Sequence, residues 1–211
     1  MKVEIKQYSQ NNPIPQILHR ENKEFEFVIY STPWGDSQST ELAFDEIEQY
    51  LTAALQDAEV TSPFEKFEFY EKEVNELRIA LLLANDKIYR SINQREYTSG
   101  CEISVILRKK NRLLFGTVGD HQVILRRHQQ FEMVSCHSDP NDYGFPTQMM
   151  GIYKQCLPRC GALQIFEQDL LFLQSSAGLL LQEEAYNEDF QKYPSRESFK
   201  RGAWLSLIRW V

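Results

Sequence analysis

Phe67, Tyr70, Val74, Leu77, Leu81, Ala84 and Ile88 recur at spacings of 3, 4, 3, 4, 3 and 4. At 3.6 residues per turn these side chains lie in one stripe along more than about five turns of helix. Such a stripe must be buried, and a single element of this length more often covers a sheet than joins a coiled coil. From Cys101 the period changes to two. CEISVIL, RLLFGTV, QVILRR and FEMV read as four short strands separated by KKN, GDH and HQQ, the pattern of an antiparallel meander.

The remaining segments complete the order. FEFVIY (25–30) is aromatic and β-branched and predicts a strand that ends in the turn-forming STPWGDS. A helix follows, capped by Ser39 or Thr40, with Leu42, Ile47, Leu51, Ala54 and Leu55 as its apolar face. HSDPNDYGFPT (137–147) predicts a surface loop. ALQIF and LLFLQ predict a hairpin across a Glu-Gln-Asp turn, a helix is expected after Gly178, and AWLSLIRWV predicts a last strand. Strands, two helices, a run of strands, a helix and a final strand indicate a layered α+β protein, and 211 residues suit a single domain over 1–211.

Charge narrows the function classes. A net charge of −7 with scattered bases repels phosphate backbones and anionic lipid, so neither nucleic acid nor membrane is an expected partner. The N-terminal MKVEIKQYSQNNP has no apolar core of a signal peptide, and the four cysteines, Cys101, Cys136, Cys156 and Cys160, read as reduced thiols. A cytoplasmic location is the expectation.

Several strings, in order, carry a resemblance. ANDKIYR (84–90), SGCEISVIL (99–107), NRLLFGTVGDHQVILRR (111–127), SCHS (135–138), MMGI (149–152) and LLFLQSSAGLLL (170–181) are similar to successive segments of the metal-dependent serine/threonine protein phosphatases of type 2C, the PPM family. The resemblance runs over some 180 residues. It implies a four-layer α/β/β/α sandwich with two central antiparallel sheets, and two or three manganese or magnesium ions held by aspartates, which activate a bridging water toward phosphorus.

The expected ligand positions are depleted. Where the family has D-G-x-G-G-H after its first long strand, aligning FVIY places Ser31 at the aspartate and Thr32 at the glycine. Its S-D-G string has Ala177 at the aspartate, and its C-terminal D-N string counts back to Gly202 and Ala203. Asp120 of VGD is retained, at a place that in the family approaches a third metal, and HRENKE (19–24) echoes a phosphate-binding string, with Glu24 at its last acid and His19 or Arg20 near its arginine. With the main carboxylates replaced, the usual binuclear centre is not expected to assemble, because the desolvation of each dication is no longer offset. The resemblance therefore implies a pseudophosphatase without a cofactor that binds another protein. The alternative is a divergent phosphatase with manganese or magnesium on a rearranged set drawn from Asp36, Asp120, Asp139, Asp142 and Glu24.

Plainer readings stand beside these. Asp120 in a Gly-Asp pair suits the geometry of a hairpin turn, with His121 as a solvated neighbour. Cys136, His137, Cys156 and Cys160 lack the spacing of a zinc site, and Cys136 with His128 has no nucleophile motif around it. DPND (139–142) lacks the rest of a calcium loop. Trp34 would place an indole where the family cradles metal, to plug the site or to grip a partner together with the loop around Tyr143. Trp204 and Trp210 suit core packing from one strand face. Arg20, Arg126 and Arg127 remain candidates for phosphopeptide contact.

Overall fold

The computed structural model describes residues 1–7, 15–56, 60–128, 130–135, 148–174 and 204–209. The chain forms two compact units that interleave in sequence: residues 15–119 with 148–165, and residues 1–14 with 120–147 and 166–211.

The larger unit is a helix pair on an antiparallel sheet. Its strands are β2 (Gln16–Glu21), β3 (Glu26–Trp34), β4 (Gly100–Lys109), β5 (Arg112–Val118) and β8 (Arg159–Gln164), in the order β2-β3-β4-β5-β8. Helices α1 (Gln38–Leu55) and α2 (Lys72–Ile88) pack on each other and on this sheet. Alternation sets the shared core. Phe27 and Ile29 of β3, with Ile103, Val105 and Leu107 of β4, join Ile47 and Leu51 of α1 and Leu77, Leu81 and Ile88 of α2 in one buried cluster. The smaller unit is a second antiparallel sheet in the order β1-β10-β9-β6-β7, built from β1 (Lys2–Gln7), β6 (Gln122–Arg127), β7 (Gln130–Ser135), β9 (Leu170–Gln174) and β10 (Trp204–Arg209). Two antiparallel sheets with helices place the chain in the expected α+β class.

Several expected elements are corrected. The four strands after Cys101 are not one meander. β4 and β5 pair, as do β6 and β7, but β5 continues to β8 in one sheet and β6 to β9 in the other. Gly119–Asp120 is thus a passage between sheets rather than a hairpin turn. ALQIF and LLFLQ likewise do not form a hairpin, since β8 and β9 belong to different sheets. A period of two reports which face of a strand is buried, and says nothing of which strand lies beside it.

The stripe that suggested a helix from Phe67 is helical only from Lys72. Asn75 is the reason. Its Oδ1 accepts the Phe67 N–H at 2.8 Å, and its Nδ2 donates to the carbonyls of Phe67 (2.9 Å) and Tyr70 (3.0 Å), folding the preceding chain across the helix start. α1 begins at Gln38 with Ser37 at its cap, and Ser39 and Thr40 lie inside it. Their hydroxyls are committed elsewhere: Ser39 donates to the Gly100 carbonyl at 3.0 Å, and Thr40 bonds Ser31 at 2.7 Å. Hydroxyls that tie the helix to the sheet cannot also cap it. The helix expected after Gly178 lies outside the described residues. No helix among the described residues is long and apolar enough to cross a membrane.

Candidate functional site

STPW does not turn. β3 runs through it, pairing Ser31 with Ile103, Thr32 with Glu102, Pro33 with Cys101 and Trp34 with Gly100. The other side of β3 is covered only as far as Ser31, opposite Gln16 of β2, so Pro33 sits where one ladder has ended and its missing N–H is tolerated. Ser31 is fully buried, and its Oγ lies 2.7 Å from Thr40 Oγ1. Thr32 is buried as well. Where the resemblance called for a bridging aspartate and a flexible glycine, a hydroxyl pair pins the strand to the first turn of α1.

Glu102 is the carboxylate that the sequence reading missed. It is 4% exposed, and its Oε1 accepts the Trp34 indole N–H at 3.0 Å. Gly119, with φ of +104°, packs against it: a Cβ there would come within 2.7 Å of Glu102 Cγ. Only a residue without a side chain adopts this backbone at this distance. The Gly119 carbonyl accepts Arg159 Nη2. Trp34 therefore does place an indole at the end of β3, where it is bound to a buried acid. The signal was present, since Glu102 is a lone acid inside an apolar, alternating strand.

Replacing Trp34 by Phe keeps an aromatic ring, though a smaller one, and strips the donor from a buried carboxylate. A cost of about 1–3 kcal/mol is expected, read as a lower urea midpoint. A Glu102→Leu change in the Trp34→Phe background should recover part of it, whereas an unchanged midpoint for Trp34→Phe would show that the bond contributes nothing.

Asp36 is exposed, and its Oδ1 accepts the Gln38 N–H at 3.0 Å, the bond of a helix start. Arg20, on β2, is held by both carboxylate oxygens of Glu48 on α1, one of them at 3.1 Å. His19 Nε2 lies 2.8 Å from Glu26 Oε1, and His19, Glu21 and Glu26 together have the spacing of metal ligands, toward the opposite end of the β2–β3 ladder from Ser31. Burial raises the thiols of Cys101, Cys156 and Cys160 to about 12, so without a metal they are protonated at neutral pH and do not suit nucleophilic attack.

A second cradle explains two strings of the resemblance. After α2 a π turn (Tyr89–Asn93) swings Asn93 inward. Gly151, with φ of +85°, lies between Asn85, whose Oδ1 accepts the Gly151 N–H at 2.8 Å, and Asn93, whose Nδ2 donates to the Gly151 carbonyl at 2.8 Å. Asn93 also binds the Ser99 carbonyl (2.6 Å) and the N–H groups of Thr98 (2.7 Å) and Ser99 (3.3 Å), just before β4. ANDKIYR and MMGI are thus one hydrogen-bonded joint.

In the smaller unit Asp120 is buried, and so is His121, which was expected to be solvated. The ring of His121 meets Trp204 edge-on with centroids 5.1 Å apart. Trp204 is buried, as its strand position suggested, while Trp210 lies outside the described residues. Arg127 is committed to Asp169, with bonds of 3.0 Å from Nε and 2.7 Å from Nη2, and its guanidinium stacks over Phe166 at 4.6 Å. Burial alone would raise the Asp169 carboxyl, but the Arg127 bonds and the Phe166 N–H outweigh it and hold the group below the usual carboxylate range. A lowered native pKa stabilises above the unfolded value and is lost as pH falls through the native one. The melting temperature should therefore fall more steeply below about pH 4 in the wild type than in Asp169→Asn; parallel profiles would contradict this.

Ala177, Gly202, Ala203, Tyr143, Asp139, Asp142, Cys136 and His137 lie outside the described residues, which leaves Ser31, Thr32, Trp34 and Glu102 as the described set at the end of β3. Two divalent ions need several anionic oxygens. This set offers one carboxylate, and an indole N–H points at it. One carboxylate supplies too few anionic oxygens for two dications, so these residues by themselves do not fit a binuclear centre.

The comparisons with known proteins agree with this architecture. The family model for protein phosphatase 2C matches residues 39–143. The chain has the fold of the PPM phosphatases. The PPM fold is found at full length in the serine/threonine phosphatase of S. agalactiae, at 16% identity and a TM-score of 0.65 over 99% of both chains. It is found in the PPM Ser-Thr phosphatase MsPP of Mycobacterium smegmatis, at 13% identity and 0.62 over 98% of this chain and 97% of that one. The catalytic domain of the phosphatase PstP, solved with two manganese ions, aligns at 12% identity and 0.59 over 98% and 96%. No protein with a curated description matches the chain in sequence.

Proposed function

We propose that this chain is a pseudophosphatase: a PPM fold that has given up metal-dependent hydrolysis and serves as a protein-binding module in signalling. The observation that carries the reading is the end of β3, where Ser31 is tied to Thr40 and Trp34 to Glu102. In a metal-dependent phosphatase this strand end supplies anionic oxygen, and here it offers a neutral hydroxyl bound to Thr40 and one carboxylate that accepts an indole N–H. Three free thiols, two of them buried, fit a cytoplasmic setting.

The test is hydrolysis of a phosphoserine peptide and of p-nitrophenyl phosphate with manganese or magnesium in large excess. Turnover at the buffer background is expected, and robust metal-dependent turnover would overturn the proposal.

A second reading, a divergent serine/threonine phosphatase with a rearranged metal set, is favoured by Asp120, a retained acid that is buried in the smaller unit. It requires hydrolysis that Asp120→Ala abolishes and that added metal restores in the wild type alone.

A further inference from the structure

We propose that the turn Phe67–Tyr70 is a docking surface for an arginine-bearing, amphipathic segment of a partner protein. The surface lies between α1 and α2 and shares no residue with the end of β3, so the proposal holds whether or not the chain hydrolyses phosphoesters.

The turn is closed by the Tyr70 N–H on the Phe67 carbonyl at 3.2 Å, with Glu68 and Phe69 at its corner. Corners favour Gly, which supplies positive φ, and Asn, Asp and Ser, which bond their own backbone. Here the corner carries a phenylalanine that is 76% exposed. Phe69 is not loose. Its ring lies 5.2 Å from Phe67 and 4.5 Å from Tyr70, and Tyr70 in turn packs on the buried core. Asn75 fixes the turn from below through both Phe67 backbone groups, and Arg78 Nη1 holds the Glu65 carbonyl at 2.9 Å. The result is an aromatic shelf that is rigid before anything binds, so a partner meets little ordering cost on this side.

The chemistry of the occupant follows from what the shelf already holds. The Arg78 guanidinium lies 3.7 Å from the Phe67 ring centroid, so one face of the group is in use as a cation–π platform. The exposed carboxylates of Glu65 and Glu68 flank the rings in sequence, on a chain of net charge −7. Lys66, the base within this stretch, is bound to Glu76 at 2.6 Å. Open aromatic faces beside acids favour a cation on an apolar stem, and arginine stacks on such faces better than lysine.

The test uses a synthetic acetylated peptide of alternating arginine and leucine, with versions carrying glutamine or lysine in place of arginine. Binding is read by calorimetry and by amide shifts of the isotope-labelled full chain. The arginine peptide should shift amides between residues 64 and 73, and the lysine peptide should bind about threefold more weakly. Phe69→Ser should leave the unfolding midpoint unchanged and weaken binding about tenfold, with Glu68→Lys weakening it as well. Shifts confined elsewhere, binding unaffected by Phe69→Ser, or equal affinity for the glutamine peptide would overturn the proposal. Self-association of the free chain that Phe69→Ser abolishes would identify a second copy as the occupant and overturn it too.

Discussion

Gly151→Ala is expected to cost about 3–5 kcal/mol, combining the strain of a side chain at positive φ with overpacking against a neighbour. At φ of +85° a Cβ would lie 2.1 Å from Ile88 Cγ2 and 2.8 Å from Ile88 Cβ. Ile88 cannot step aside, being β-branched, fully buried and fixed at the end of α2. A loss of this size is a large share of the stability of an ordinary domain. Urea unfolding checks it. Adding Ile88→Ala to Gly151→Ala should relieve the clash but not the backbone strain, so the double variant should be less destabilised than the sum of the two single changes. An unchanged midpoint for Gly151→Ala would contradict the cradle.

The second large effect is at Asn93. Its side chain is 2% exposed and binds four backbone groups: the carbonyls of Ser99 and Gly151 and the N–H groups of Thr98 and Ser99. Asn93→Ala strands several of these where water is excluded, at about 1–3 kcal/mol for each group left unpaired. Because Thr98 is exposed and its N–H can turn to water, the expected total is about 3–4 kcal/mol. Asn93→Asp keeps the acceptor, loses both donors and buries a charge, and should rescue nothing. Amide exchange separates this from a general loss of stability: protection at Gly100 and Gly151 should collapse first. Uniform loss across the larger sheet would show that Asn93 does not hold the joint.

The joint around Gly151 also shows what a sequence can carry. Asn85 and Gly151 stood in strings that marked the fold, and the structure supplies the reason, since one amide binds the other's backbone across 66 positions. The helical stripe was legible from Val74 onward because helix period and burial agree there. It failed at Phe67 and Tyr70, where the same apolar spacing serves an exposed turn that Asn75 holds off the helix. Strand periods located β4 to β10 but not their neighbours. The passage at Gly119–Asp120 therefore looked like a hairpin, and a run of strands that alternates cleanly is divided between two sheets.

At the candidate site, the substitution at Ser31 was visible by counting from FVIY. What replaced the aspartate was not. The Ser31–Thr40 bond joins a strand to a helix and the Trp34–Glu102 bond spans 68 positions, so neither leaves a local motif. Arg20 and Arg127 carried a phosphate-binding expectation that arginine invites from sequence alone. Each is matched by an acid that only the fold brings near, Glu48 and Asp169.

The central claim is that this PPM fold no longer assembles its metal centre, and calorimetric titration of the full chain with manganese tests it most directly, with phosphoester turnover followed in the same samples. The account predicts no saturable binding beyond weak surface association and no metal-dependent turnover. Stoichiometric binding of two manganese ions, accompanied by hydrolysis that rises with their occupancy, would contradict it.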